Sequence, residues 1–154
     1  MPTLDDVYGK FGFAAEAAQL LETELGTLLI VIDAIDEGLL ETPNPTRAAE
    51  LFDAINSHTL GRLLKRLKTK DKALNELEPL LSKALDERNR LFHSFYRQHN
   101  FRRNTDEGRD FMLEDLRSIH ELLIEAYKAV MLLSGTDLDS ISSDALPTRH
   151  LPLK

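Results

Sequence analysis

The feature that most constrains this chain is a run of apolar residues whose spacing alternates between four and three. From Val7 it passes through Phe11, Ala14, Ala18, Leu21, Leu25, Leu28, Ile32, Ile35 and Leu39. Only an α-helix brings residues at that spacing onto one face, so the pattern predicts a first helix roughly 50 Å long. It should end near Gly38, because "ETPNPT" puts two prolines where a helix cannot continue. Asn44 and Pro45 then read as an N-cap and a first-turn proline. They open a second helix with apolar positions at Ala48, Phe52, Ile55, Leu60, Leu63, Leu64 and Leu67. Gly61 inside it marks a weak point or a close-packing position.

A third helix starts near Asp71 or Asn75, with Pro79 either early in it or kinking it. Leu74, Leu77, Leu81, Leu85, Phe92 and Phe95 form its stripe. "NFRRN" interrupts, and Thr105 followed by Asp106 and Glu107 gives a capped, acidic start to a fourth helix. That helix repeats the period through Met112, Leu116, Ile119, Leu123, Ala126, Val130 and Leu133, and Ser134-Gly135 closes it. No strand pattern or repeat is visible. The expected architecture is therefore all-α: an up-down four-helix bundle over residues 1–135, followed by a polar, mostly irregular tail over 136–154.

The 154 residues include no cysteine, which excludes disulfides, thiolate metal sites and a cysteine nucleophile, and fits a reducing cytosol. No apolar run is long enough to span a membrane, and the acidic start lacks a signal-peptide pattern. A cytoplasmic protein is expected.

Net charge is −7, yet the charge is segregated. The segment from Arg62 to Lys72 holds six Lys or Arg and one acid; that from Arg88 to Arg103 holds five Arg and none. Together they contain 11 of the 19 bases and one of the 26 acids, leaving 8 bases against 25 acids elsewhere. Such basic segments can attract phosphate backbones. For the first, cations complementing a helix C-terminus are the simpler account. In the second, Arg88 falls inside the apolar stripe, where a guanidinium needs a partner or a cavity. Asp33, Asp36, Glu114 and Asp115 are the candidate partners, and a pair fixing helix register is the rival to a functional arginine. Asn89, His93 and Arg97 form a separate line at four-residue spacing, with Tyr96 close by. His93 suits proton transfer near neutral pH, and Arg97 suits holding a phosphate. Arg88 and His93 are about 140° apart on an ideal helix, so one chain does not simply bring them to one pocket.

"RNRLFH", Arg88 to His93, matches the R-N-x-x-x-H pattern of the HEPN superfamily, and "TLGRLLKRL" with "ERNRLFHSFY" resembles a bacterial HEPN-like subgroup. The resemblance covers the second to fourth helices. It implies a compact helical bundle and, in active members, metal-independent RNA cleavage by attack of the ribose 2′-hydroxyl on the adjacent phosphate. By the match, His93 is the general acid or base, Arg88 stabilises the phosphate or orients the reacting groups, and Asn89 takes the polar position beside it. It also implies a homodimer with two motifs meeting, an RNA substrate, an antitoxin or regulatory partner, and no cofactor. Many members have lost catalysis and serve as interaction modules, which is the alternative reading. Arg97, Tyr96 and Arg102 are added as substrate-binding candidates from local chemistry alone. His58, His120 and His150 show no metal-ligand spacing, and His99 rejoins the apolar stripe or ends the helix as a cation. "DLDSISSD" lacks the glycine and glutamate of a calcium loop.

Overall fold

A computed structural model describes residues 1–68 and 72–142. Among them are seven α-helices and two 3-10 turns, and no strand. The protein is all-helical, as the period required.

Helix α1 (Leu4–Asp36) starts at a capping box: Thr3 Oγ1 accepts from the Asp6 amide at 3.1 Å, and Asp6 accepts from the Thr3 amide at 2.7 Å. Gly38, at φ +66, takes the left-handed turn that ends the segment. Helix α2 (Pro45–Asn56) is capped by Asn44, whose Oδ1 accepts from the Arg47 amide. It runs antiparallel to α1. Arg47 pairs with Glu37 near the top, and lower down Gly26 packs on Ile55, whose Cγ2 would lie 3.3 Å from an added Cβ.

The expected second helix is in fact two. Ser57 donates its hydroxyl to the Ala54 carbonyl at 2.7 Å, and the His58 amide closes on Ile55. These bonds satisfy the end of α2 and let the chain reverse through extended Thr59. Helix α3 (Leu60–Leu67) climbs back, and Arg66 reaches the buried Asp33 at 2.7 Å. Leu51 and Ile55 face the core, while Ala48 and Phe52, both expected inside, are exposed. Gly61 has room for a Cβ; the close approaches are at Gly26 and Gly108.

The expected third helix is also divided. Helix α4 (Lys72–Glu76) is short, and α5 (Glu78–His93) begins with Pro79 in its first turn. Ser94, at φ −134, breaks the helix before α6 (Phe95–His99), and a 3-10 turn follows over Asn100–Asn104. Helix α7 (Asp106–Leu133) starts where expected, with Thr105 Oγ1 accepting from the Gly108 amide at 3.0 Å.

The additional reversal at residues 57–59 changes the topology. Arg109 bonds the Pro2 carbonyl, Phe13 meets His120, and Ser134 bonds Glu24, so α1 and α7 run parallel along their length. Helix α5 runs the opposite way between them, with Arg88 at Glu22 and Tyr96 at Tyr8. The core is formed mainly by Leu21, Leu25 and Leu29 of α1, Leu60 and Leu67 of α3, Leu91 of α5, and Leu116, Ile119 and Leu123 of α7. Ile35 and Leu133, the outer members of the expected stripes, are exposed. Past α7, the 3-10 turn at Leu138–Ser140 folds back so that Asp139 meets Lys128 at 2.6 Å. The remainder of the tail, including His150, lies outside the described residues. Among the described residues no helix is long and apolar enough to cross a membrane.

Candidate functional site

The motif occupies the last turns of α5. Leu81, Ala84, Leu91 and Phe95 are buried along this segment, and Arg88 stands in the same stripe. Phe92, expected inside, is 40% exposed because Leu91 takes the core position. The Arg88 side chain is partly buried and does have a partner, though none of the four acids considered. Its Nε donates to Glu22 Oε1 of α1 at 2.8 Å, its Nη1 reaches Asn89 Oδ1 at 3.3 Å, and the guanidinium lies 4.9 Å from the Phe92 ring centre. Asp33 is taken by Arg66, Glu114 by Arg117 and Asp115 by Arg90. Glu22, one turn beyond Ala18 on the edge of the α1 stripe, is the residue sequence reasoning missed.

His93 is the final residue of α5 and is exposed. Its imidazole makes no hydrogen bond or ion pair with any described residue, Arg88 included. Its carbonyl, left over at the helix end, accepts from Arg97 Nη2 at 2.8 Å, so Arg97 caps α5 with one of its donors. Tyr96 packs into an aromatic cluster: Phe11 at 5.3 Å, Phe95 edge-on at 5.2 Å and Tyr8 at 6.3 Å. Burial, then Tyr8, pushes the Tyr96 phenol above its ordinary pKa. Arg103 donates to the Tyr8 hydroxyl at 2.8 Å, bringing another cation to this cluster. The structure thus gathers Arg88, Asn89 and Phe92 on the α1 side, and leaves His93 and Arg97 on an outer flank.

Arg102 lies elsewhere, with a second set of polar groups. Its guanidinium sits 5.5 Å from the Phe111 ring centre and donates to His99 Nδ1 at 3.2 Å. His99 is 4% exposed, and its Nε2 lies 2.7 Å from Asp115 Oδ2. A guanidinium can only donate, so Nδ1 accepts and the ring proton sits on Nε2, facing the carboxylate. Asp115 also holds Arg90 through two bonds of 2.7 and 2.6 Å, and Arg90 reaches Glu87 and Gln98. The Arg90 bonds, ahead of that from His99, hold the Asp115 carboxyl below its usual range against the opposing effect of burial. The same bond to Asp115 keeps Arg90 firmly charged. This network fastens α5, α6 and the 3-10 turn to α7. Its sequence signal is faint, because residues 87, 90, 98, 99, 102 and 115 share no helical face.

Of the first basic segment, Arg66 and Lys68 are tethers, to Asp33 and Glu78, while Arg62 and Lys65 are exposed. Lys70 and the side chain of Lys72 lie outside the described residues. His58 sits in the α2–α3 turn with a buried Nδ1 that lacks a partner; desolvation, then Arg62 and Arg66, lowers its pKa. Among the described residues no group of three or more His, Cys, Asp or Glu could hold a metal ion. Comparison with known proteins returns no match: no family model, curated protein or solved structure is significantly similar to the chain.

Proposed function

We propose that this chain is a HEPN-like, metal-independent endoribonuclease, working as a homodimer and serving as toxin or effector in a bacterial toxin–antitoxin or defence pair. The observation that supports the reading is the end of α5. There Arg88 is clamped at Nε by Glu22, with further N–H groups remaining, while the His93 imidazole is exposed and unengaged by described residues. In the proposed reaction His93 accepts the proton of a ribose 2′-hydroxyl as O2′ bonds to phosphorus. The P–O5′ bond breaks, and a second acid returns a proton to the leaving oxygen. Products are a 2′,3′-cyclic phosphate and a 5′-hydroxyl. Arg88 offsets the charge that develops on the phosphate, and Asn89 steadies Arg88. The 140° between Arg88 and His93 on an ideal helix supports a composite site in which each of two protomers supplies one of these groups to the other.

The Arg88–Glu22 pair also favours a second reading, a non-catalytic helical interaction or regulatory protein in which the pair fixes the register of α1 on α5. RNA incubated with the protein in chelator separates the two. Cleavage by wild type, lost in folded Arg88→Ala and folded His93→Ala, supports the enzyme. A wild type that cuts no RNA, with Arg88→Ala unfolded, supports the structural reading. Intact RNA recovered from a complex that weakens steeply with salt indicates binding alone.

A further inference from the structure

Where the α2–α3 reversal meets α1 lies a pocket of about 240 Å³ that the core leaves open. Gln19, Glu22 and Thr23 of α1 line one side of it, and Asn56 and His58, at the end of α2 and just beyond, line the other. The buried Gly26, Ile55 and Leu63 form its apolar base. Sites for whole drug-sized ligands measure ~300–1,000 Å³, so this one suits a single ring system. Its polar groups are unspent. The side chains of Gln19, Thr23 and Asn56 bond no described residue, and Glu22 gives Arg88 only Oε1.

Charge narrows what can enter. Desolvation, then Arg62 and Arg66, lowers the His58 pKa, so at pH 7 this wall is neutral. Glu22 is the one charged group in the lining, and Arg88 stands behind it at 2.8 Å. Arg62, near His58, is exposed and has no ion pair with any described residue. The two basic segments of the sequence thus each set an arginine beside the pocket. A small anion inside would meet the Glu22 carboxylate, and a cation would approach between Arg88 and Arg62. A neutral ring that carries its phosphate outside satisfies both ends. Among nucleobases the carboxylate selects further, because it can only accept. Guanine offers N1–H and N2–H side by side, with O6 next to them for an amide donor. Adenine and cytosine turn a ring-nitrogen acceptor toward the same place, and uracil sets its single N–H between two carbonyls.

We infer that this pocket binds a guanine base. Glu22 accepts from N1–H and N2–H, Gln19 or Asn56 donates to O6, and the ring rests on Ile55 and Leu63. In setting the attached phosphate against Arg88 this rests on the ribonuclease reading, and the base then belongs to the nucleotide beside the scissile bond. A free guanine nucleotide carries the same chemistry.

Isothermal titration of the full chain with GMP, IMP, AMP, CMP and UMP reads the base, since all five carry the same phosphate. GMP is expected to bind at least about ten-fold more tightly than AMP, CMP or UMP, with IMP, which lacks the 2-amino group, in between. Short RNAs with and without one guanosine are compared in the same way on His93→Ala, so that the RNA stays intact. Glu22→Gln keeps an oxygen for Arg88 but turns the other acceptor into a donor, and should abolish the preference. The double variant Gln19→Ala/Asn56→Ala, exposed and outside the hydrogen bonds of the fold, should weaken guanine binding by about five-fold or more. It decides the matter if Glu22→Gln does not fold. Preference among the mononucleotides alone identifies a free nucleotide as the ligand, and preference in RNA alone identifies the polymer; either supports the inference. Equal affinity for all five nucleotides and for both RNAs, or a preference that the double variant leaves untouched, would overturn it. Selective guanine binding by a protein whose wild type cuts no RNA leaves the pocket standing and removes the ribonuclease reading. RNA cut by wild type, with no guanine preference in binding, does the reverse.

Discussion

Replacing Asp115 by asparagine tests the buried network with the least change of shape. Asp115 accepts three bonds, two from Arg90 and one from His99, at 2.6 to 2.7 Å. A hydrogen bond involving a charged group contributes about 1.5–3 kcal/mol, and removing one partner of a buried pair costs about 3–5 kcal/mol. Two features reduce the cost here. Arg90 keeps Glu87, and the Asp115 side chain is 24% exposed. A loss of roughly 2–3 kcal/mol follows, or about 4–12 °C in Tm for a chain of this size. Urea denaturation followed by circular dichroism should show a lower midpoint with an unchanged slope. The pH dependence carries its own sign. The folded pKa of Asp115 is depressed, so its stabilisation is complete above the unfolded value, about 3.9, and is lost as pH falls through the folded value. The gap between wild type and Asp115→Asn should therefore stay constant from pH 7 to about 5 and close below that. A variant within about 0.5 kcal/mol of wild type at pH 7, or a gap that persists undiminished to pH 3, would refute the account.

Further outcomes follow from the packing and the ion pairs. At Gly108 an added Cβ would lie 2.6 Å from Arg102 Cα and would collide with the Arg102 carbonyl. Gly108→Ala should therefore lower stability by about 1–3 kcal/mol despite alanine's better helix propensity. Gly26→Ala, which meets only an Ile55 methyl at 3.3 Å, should fall well short of that loss in the same urea titration. At Arg88, a double-mutant cycle of Arg88→Ala with Glu22→Ala should give a coupling of about 1–2 kcal/mol, since both side chains are roughly three-quarters buried. If the enzyme reading is right, the double variant recovers part of the stability lost in Arg88→Ala and none of the RNA cleavage.

The first and last helices were legible because their signals are local and redundant. Thr3 and Thr105 cap them, and every turn of the stripe repeats the same information. The break at Ser57–Thr59 was not, because no proline marks it and its one trace is a single five-residue step from Ile55 to Leu60, where the period calls for three or four. What stops α2 is a serine hydroxyl turning back onto Ala54, an option that most serines in helices have and do not take. That small event sets the direction of everything after it, and through it the parallel pairing of α1 with α7.

The motif divided in the same way. The stripe predicted that Arg88 needs a partner, since its position depends only on residues of its own helix. The identity of the partner depended on how α5 slides and rotates against α1, which no single-helix pattern encodes. One residue decides that rotation: Leu91 enters the core and Phe92 stays 40% exposed, where it supports the Arg88 guanidinium from below. Had Phe92 been inside, Arg88 would have lost both the ring beneath it and its reach to Glu22. The clamp on the motif arginine is thus a consequence of core packing one residue along. An exchange of Phe92 for leucine should consequently loosen Arg88 while leaving the fold intact.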